Sequence, residues 1–284
     1  MFRTLVLAST LTLAAAQAAP LQLKVYNADV NSFHATSTLI SGPSEAVVVD
    51  AGFTRADAYR IAANVLDSGK TLKAIVVSNA DPDYYFGVEV LKSLFPQAEV
   101  LAPPAVLDKI RAKLPAKVAF WGPKMGANAP VRPVLPQPLP GNSLTVDGER
   151  LEVRGTSGEL AHRPYIWVPS LKAIVGNVAV YGDLHVWTAD TQKPSERAAW
   201  LAQLDEMSAL KPAIVVPGHM QAGTPLDGSS IGFTRDYLHR FERSVTEQRH
   251  SAGLIAVMKA AYPQAGLELA LDIGAKVATG EMKW

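Results

Sequence analysis

The sequence has no cysteine, no surplus of charge of one sign and no hydrophobic run long enough to cross a membrane. Without cysteine, a disulfide scaffold, a cysteine nucleophile and a thiolate zinc site are excluded, so any metal would need nitrogen and oxygen ligands. Lys and Arg total 27 against 26 Asp and Glu, and this balance leaves no basic surplus to attract nucleic acid. The composition, with 48% hydrophobic and 19% charged residues among 284, is that of a folded globular chain.

The first eighteen residues differ from the rest in composition. Met1 to Arg3 form a short basic start, an apolar run extends from Leu5 to Ala16, and Ala16 and Ala18 are small residues at the −3 and −1 positions of a cleavage site. The run is shorter than the roughly 20 residues that a membrane-spanning helix needs. We therefore expect residues 1–18 to be a signal peptide and residues 19–284 to be the exported domain, periplasmic or secreted, with no membrane span after cleavage.

From residue 21 onward, short β-rich runs alternate with segments of helical periodicity, which predicts an α/β fold. Strands are expected at 46–51, 73–77, 99–101, 143–153, 165–168, 173–175 and 213–216. Helices are expected at 56–66, 88–95, 104–114, 195–210 with Ser195 as its N-cap, 232–262 and 267–278. Proline and glycine are frequent between Trp121 and Pro140, and this predicts a loop or a short lid.

Polar residues follow four of the predicted strands. They lie at 79–84, at 158–162, at Gly176-Asn177 and at 217–219. In α/β proteins ligands bind beyond the carboxyl ends of strands, so these loops are the expected site. Signatures of serine hydrolases, zincins, P-loop proteins and dinucleotide-binding proteins are missing from the sequence.

Two strand ends in the sequence resemble motifs of the metallo-β-lactamase superfamily. The segment V-V-V-D-A-G at 47–52 is similar to the family's early strand that closes on Asp-x-Gly, and P-G-H at 217–219 is similar to its late strand that closes on Gly-His. The resemblance implies one α/β domain of αββα sandwich type, with a dinuclear metal site along one edge of the sheets. We expect a C-terminal helical extension over residues 237–284.

The family's metal-binding motif is present in frame but with other residues. Where the family has T-H-x-H-x-D-H-x-x-G, residues 78–87 read S-N-A-D-P-D-Y-Y-F-G. Asn79, Asp81 and Tyr84 therefore stand at histidine positions, while Asp83 is unchanged. Glu159 replaces a further ligand histidine and Asn177 replaces the bridging aspartate. Of seven ligand positions, Asp83 and His219 keep the family residue, which argues against a standard dizinc site.

The residues at these positions are rich in oxygen, and such sets favour hard cations. In place of the family's dinuclear site, the residues at these positions predict at most one divalent metal (Mn, Mg, Ca, Fe or Zn), held by Asp81, Asp83, Glu159 and His219, with Asn79 and Asn177 beside them. Without a metal, one carboxyl group is expected to bind a proton with a raised pKa, or to pair with Arg163 or a nearby lysine. The same positions imply catalytic roles for Asp83, His219 and Tyr84, with Tyr84 or Asn177 donating a hydrogen bond to an oxyanion.

Each of these residues also has a purely structural interpretation. Asp83 is well placed to cap a helix, Glu159 to be a solvated charge, and Tyr84 and His219 to be buried and hydrogen-bonded. His162 and His185 are expected near the cleft, as substrate contacts or as structural residues. The tryptophans predicted to lie in the core or in the wall of the cleft are Trp121, Trp167, Trp187 and Trp200.

Two functional hypotheses follow. The first is a divergent exported metallo-hydrolase with one non-standard metal, acting on an ester, a lactone or a similar small substrate. The second is a metal-free periplasmic pseudoenzyme that binds a small ligand or a protein partner, because a fold does not determine a function. Substrate, pathway and oligomeric state have no signature in the sequence.

Overall fold

The computed structural model describes residues 20–284, in which two β-sheets lie face to face between layers of helices. This αββα sandwich with helices towards the C-terminal end is the predicted fold. The predicted signal peptide, residues 1–18, lies outside the described residues. No helix within residues 20–284 combines the length and the apolar character needed to cross a bilayer.

The strands and helices of the described chain have the following bounds. The strands are β1 (Gln22–Asn27), β2 (Thr36–Ser41), β3 (Glu45–Val49), β4 (Thr71–Val76), β5 (Glu99–Ala102), β6 (Gln137–Pro138), β7 (Ser143–Val146), β8 (Glu149–Arg154), β9 (Tyr165–Val168), β10 (Ala173–Val175), β11 (Tyr181–Gly182), β12 (Ile214–Val215) and β13 (His219–Met220). The helices are α1 (Arg55–Ser68), α2 (Pro82–Tyr85), α3 (Val88–Leu94), α4 (Pro104–Met125), α5 (Pro194–Ala209), α6 (Ser229–Glu247), α7 (Ser251–Ala261) and α8 (Glu268–Ala278).

The strand order brings the site loops to one edge. The first sheet has the order β1-β2-β3-β4-β5-β6, antiparallel through β3 and parallel from β3 onward. The second has the order β12-β10-β9-β8-β7, in which β12 and β10 are parallel. A short parallel pair, β11 with β13, completes the sheets. Parallel strands end at the same edge of a sheet, so the loops after them are neighbours.

The alternation of side chains along the central strands explains why the sheets stack. In β3, Val47 and Val49 lie in the core between the sheets, whereas Val48 faces the helices. In β10, Val175 faces the first sheet and Ile174 faces the second helical layer. Strands buried on both faces are apolar at every position. The runs that the sequence identified as buried strands therefore occupy the centre of the sandwich.

Helix α4 is longer than the sequence predicted. It was expected to end at Leu114, with a loop from Trp121, but it continues through Pro115 to Met125. Each internal proline removes one helical hydrogen bond. The apolar face of the helix nevertheless continues past Pro115 at helical spacing. It packs against the core between the first sheet and its helices through Leu114, Val118, Trp121 and Met125. The predicted loop therefore begins after Met125 and not at Trp121, because packing of this face outweighs the local cost of proline.

Helix α5 begins one residue earlier than expected, so the assignment of Ser195 as its N-cap is corrected. Pro194 is the first helical residue and Lys193 is the N-cap. The carboxylate of Glu196 accepts a hydrogen bond of 2.9 Å from the Lys193 backbone N–H. Proline is favoured at the first helical position because its missing N–H would have no helical partner there.

A buried carboxyl group joins the ends of β3 and β4. Asp50 follows β3 in a left-handed conformation with φ 66. One of its oxygens accepts from the Ser78 backbone N–H and the other from the Ser78 hydroxyl, both at 2.7 Å. Burial raises the pKa of Asp50 from 3.8 to about 7, although the two hydrogen bonds from Ser78 oppose that shift. The folded protein therefore favours the protonated acid more than the unfolded chain does.

Replacing Asp50 with asparagine should change how stability depends on pH. The pKa of Asp50 is higher in the folded protein than in the unfolded chain. Protonation of Asp50 therefore stabilises the folded protein fully below about pH 4, and this contribution is lost as the pH rises through 7. Asparagine has nearly the same shape, accepts the left-handed conformation and does not ionise. Asp50→Asn should therefore be more stable relative to the parent at pH 8 than at pH 5, by up to a few kcal/mol in denaturant unfolding.

The matched control is Asp147→Asn. Asp147 is also left-handed, with φ 48, and also accepts hydrogen bonds from a serine, Ser44, but it is partly exposed. These hydrogen bonds lower the pKa of Asp147, so its contribution is lost only in acid and should not change between pH 5 and 8. Equal stability differences for Asp50→Asn at both pH values would contradict the prediction.

Candidate functional site

His219 is the buried polar centre of the site. It lies in β13, and its Nδ1 is 2.9 Å from the carbonyl oxygen of Phe33. A carbonyl only accepts, so Nδ1 carries the proton and Nε2 has the lone pair. Nε2 lies 3.1 Å from the hydroxyl of Tyr84, which donates to it. Burial lowers the pKa of His219 to about 4, so the ring is neutral near pH 7 and both of its nitrogens have partners.

Two tyrosines hold the imidazole ring in place. Tyr84, in α2, meets it edge-on at 5.6 Å, and Tyr181, paired with His219 across β11 and β13, stacks on it at 5.2 Å. Both tyrosines are buried, and the hydroxyl of Tyr84 is also 3.3 Å from the carbonyl oxygen of Asn177. Burial raises the pKa of Tyr84 well above its ordinary value. Tyr84 is therefore a protonated hydrogen-bond donor in this site.

The two aspartates of the central loop have different surroundings. Asp83 is buried, and its Oδ2 lies 3.6 Å from Nε2 of His219, beyond hydrogen-bond range. Burial, and next the charge of Asp81, raise the pKa of Asp83 well above its usual range. Asp81 lies 3.7 Å from the ammonium group of Lys117, which opposes the increase in pKa that burial causes there.

Asn79 and Asn177 direct their side chains to the backbone. The Asn79 carbonyl oxygen accepts a hydrogen bond of 2.9 Å from the Asp81 N–H, closing the loop turn. The fully buried Asn177 donates to the Val216 carbonyl at 3.0 Å and accepts from the Val180 N–H at 2.9 Å. The Asn177 amide thus holds strand ends together, whereas the Asn79 side chain fixes the conformation of its own loop.

Three of the predicted site residues are not brought to this group. Glu159 is exposed, and its carboxylate accepts a hydrogen bond of 2.8 Å from Ser195 in α5. His185 is buried beside Tyr237 of α6, with Nδ1 3.1 Å from that hydroxyl. His162 is half-buried, and burial lowers its pKa to about 4. The motif frame alone suggested that these residues lie at the cleft; within the described residues, the cavity beside His219 is lined by none of them.

An aromatic cavity of about 470 Å³ opens beside Asp83 and His219. Its aromatic walls come from distant parts of the chain: Phe33, Phe53, Phe120, Trp121, Tyr181, Trp187 and Trp284. Charged groups face it from several elements: Asp81, Asp83, Asp190, Lys113, Lys117 and Arg163. As predicted, Trp121 and Trp187 lie in the cleft wall, while Trp167 and Trp200 are buried.

The side chains present do not fit a metal centre of the kind that the motif frame implies. Among residues 20–284, no group of three or more His, Asp or Glu side chains is placed to hold an ion. His219 has both nitrogens engaged, and Glu159, expected as a third carboxylate ligand, is bonded to Ser195 instead. What the arrangement offers is a neutral histidine, a buried carboxyl group and an ion pair at one end of an apolar cavity.

The sequence was compared with models of known protein families and with known proteins. Residues 31–219 match the family described as the metallo-beta-lactamase superfamily. Among curated proteins, no sequence matches the chain.

Several solved structures share the fold. A metallo-beta-lactamase family protein from Thermus thermophilus is 17% identical with a TM-score of 0.62, over 92% of this chain and 93% of its own. A beta-lactamase domain protein from Burkholderia ambifaria is 16% identical with a TM-score of 0.61, over 94% and 88%. A double mutant of a sec-alkyl sulfatase is 17% identical with a TM-score of 0.56, over 85% of this chain and 47% of its own. At these identities the similarity concerns the fold.

Gly218 is required where the backbone passes closest to the site. A Cβ at this position would overlap the carbonyl oxygen of Asn177 and lie 2.8 Å from the Tyr84 hydroxyl. Gly218→Ala should therefore lower the free energy of unfolding by about 1–3 kcal/mol or more, as overpacking does. It should also weaken the contact of Tyr84 with His219, which the NMR chemical shifts of the imidazole would report.

The control for this change is Gly232→Ala in α6, where a Cβ meets nothing within 4 Å. Alanine in a helix interior stabilises by about 0.5–1 kcal/mol relative to glycine. If the two variants had comparable free energies of unfolding in denaturant, the backbone at Gly218 would have moved to accommodate the Cβ, contrary to this expectation.

Proposed function

This chain belongs to the metallo-beta-lactamase superfamily, and we propose that it is a metal-independent member that binds a small, largely apolar molecule. The observation that carries the proposal is the aromatic cavity at the edge of the sheets, whose wall includes His219, with both ring nitrogens in hydrogen bonds. This follows the second of the two hypotheses drawn from the sequence.

The cavity has the properties of a small-molecule site. Its volume of about 470 Å³ lies within the roughly 300–1,000 Å³ of ligand pockets, which are mostly apolar with a few convergent polar groups. Phe53 and Trp121 meet edge-on at 5.1 Å, and Phe33 lies 5.4 Å from Phe53. These mutual contacts hold the rings in place, so binding would not require the wall to be ordered first.

The single-metal hydrolase receives less support. It requires Asp81, Asp83, Glu159 and His219 to meet around one ion, yet Glu159 is bonded to Ser195 at the surface. The Nε2 lone pair of His219 already accepts a hydrogen bond from Tyr84. A metal would have to displace that hydrogen bond before it could bind Nε2.

Export of the protein is a further part of the proposal. It is supported by the basic start, the apolar run and the small residues at 16 and 18 in the sequence. The ligand would then be a molecule of the periplasm or of the medium. The mass of the protein recovered from those fractions would test cleavage after residue 18.

Metal ions should leave the protein unchanged. After treatment with a chelator, addition of Mn²⁺, Mg²⁺, Ca²⁺, Fe²⁺ or Zn²⁺ should shift the midpoint of thermal unfolding by no more than about 1 °C, because an ion that binds the folded state would raise it. Elemental analysis should find well under one ion per chain.

The variants Asp83→Asn and Glu159→Gln serve as a pair, since Asp83 faces the cavity and Glu159 lies at the surface. Retention of about one ion per chain by the parent that is lost in Asp83→Asn would overturn metal independence. Loss of the ion in Glu159→Gln as well would support the hydrolase with the four ligands expected from the sequence.

A neutral aromatic probe should bind in the cavity. N-phenyl-1-naphthylamine, whose fluorescence rises in apolar surroundings, should bind saturably at one site per chain. Ala116 lies in α4 at the cavity wall and is exposed, so that a larger side chain there is tolerated by the fold. Ala116→Trp should weaken binding about tenfold or more by filling the cavity.

Ala112→Trp is the matched control, because Ala112 is exposed on the same helix and is not part of the cavity wall. It should bind the probe as the parent does. Absence of saturable binding, or equal effects of the two tryptophan variants, would argue against the cavity as a binding site.

A further inference from the structure

Arg163 is a buried cation that forms no ion pair with an acidic side chain among residues 20–284. Only 4% of the residue is exposed, and within residues 20–284 no carboxylate oxygen comes within 4.0 Å of its guanidinium group. Its one hydrogen bond to the described chain is from Nη2 to the Val178 carbonyl, a long contact of 3.3 Å. Its Nε is buried and has no partner there. A buried guanidinium with unmade hydrogen bonds is costly to the folded protein.

Packing holds this guanidinium group against the cavity. It lies over the ring of Trp200 at 4.3 Å, and Trp200 is itself fixed by a 2.8 Å hydrogen bond to the Ala179 carbonyl. Arg163 is part of the cavity wall, together with Val178 and Tyr181. Stacking on an aromatic ring fixes the plane of a guanidinium and leaves its edge for hydrogen bonding.

The carboxylates that share the cavity are engaged elsewhere. Asp190 accepts hydrogen bonds from the indole N–H groups of Trp187, at 2.8 Å, and Trp284, at 3.0 Å. Asp81 is paired with Lys117. Asp83 is nearest to His219, at 3.6 Å. Within residues 20–284, none of these carboxylates completes the hydrogen bonding of Arg163, which leaves its free N–H groups to a ligand or to water in the cavity.

We infer that Arg163 is an anion subsite of this cavity, and that the ligand joins an aromatic or other flat apolar body to one oxyanion group of the carboxylate or sulfonate class. The inference rests on the proposed function, since it names the ligand class of the same cavity. The planar fork of the guanidinium matches two oxygens of such a group. Lys113 and Lys117, which also face the cavity, add positive potential at longer range.

Two fluorescent probes with the same aromatic frame test the subsite. 8-Anilino-1-naphthalenesulfonate carries a sulfonate, and N-phenyl-1-naphthylamine is the same molecule without it. The parent protein should bind the sulfonate probe about tenfold or more tightly than the neutral probe, because a hydrogen-bonded ion pair in an apolar site is among the strongest polar contacts. This comparison needs no variant, so equal affinities would refute the subsite even if substitutions at Arg163 impair folding.

Arg163→Met removes the charge and keeps an apolar chain over Trp200. It should weaken binding of the sulfonate probe about tenfold or more, while the affinity for the neutral probe should change less than about twofold. Arg163→Lys should recover part of the loss, since it keeps the charge but not the planar fork. Lys113→Gln is the matched control: Lys113 is exposed and faces the same cavity, and its loss should change the sulfonate probe less than about threefold.

The outcomes separate this inference from the proposed function. If the parent binds both probes equally, or if Lys113→Gln weakens the sulfonate probe as much as Arg163→Met does, the subsite is refuted and the apolar binding site stands. If neither probe binds saturably, both are refuted.

Discussion

The contact between the two sheets determines where every polar group of the site is placed. Val47, Val49 and Val175 fill the space between the sheets, and a shift of register by one residue would turn them outward. Because the strands are fixed in this way, their carboxyl ends meet at one edge. Hydrogen bonds from Ser78 to Asp50 and from Asn177 to Val216 then join neighbouring strand ends within the first sheet and within the second sheet, respectively.

At that edge the polar side chains satisfy one another. His219 donates to a backbone carbonyl and accepts from Tyr84, and Asp81 is balanced by Lys117. Buried polar groups are normally paired, and here the pairing is achieved within the chain at positions where the family resemblance implied metal ligands. Arg163 and Tyr85 are exceptions, since each has a buried polar atom without a partner among residues 20–284, and the unmade hydrogen bonds of Arg163 add to the polar character of the cavity wall.

Particular residues show how far the sequence could be interpreted. The apolar runs around Val48 and Ile174 correctly predicted buried strands, because burial on both faces leaves a local signature. Pro115 misled the prediction of α4, since the packing that keeps the helix intact involves side chains from other elements. Glu159 stands at a ligand position of the family motif, but its side chain is exposed and bonded to Ser195. A match to a motif position does not determine the direction in which a loop turns. Arg163 was considered only as a partner for the carboxylates, because nothing in its neighbours along the chain indicates whether an acidic side chain will reach it.

The sequence by itself determined the alternation of strands and helices and the polar loops after the strands. It also determined the replacement of the family's ligands at Asn79, Tyr84 and Asn177. Each of these features depends only on residue type and local spacing. Only the tertiary structure decided that the Phe33 carbonyl meets His219, that Lys117 meets Asp81, and that aromatic rings from both ends of the chain enclose one cavity. Those contacts join residues far apart in sequence, and their energies depend on distance and burial, which exist only once the sheets have packed.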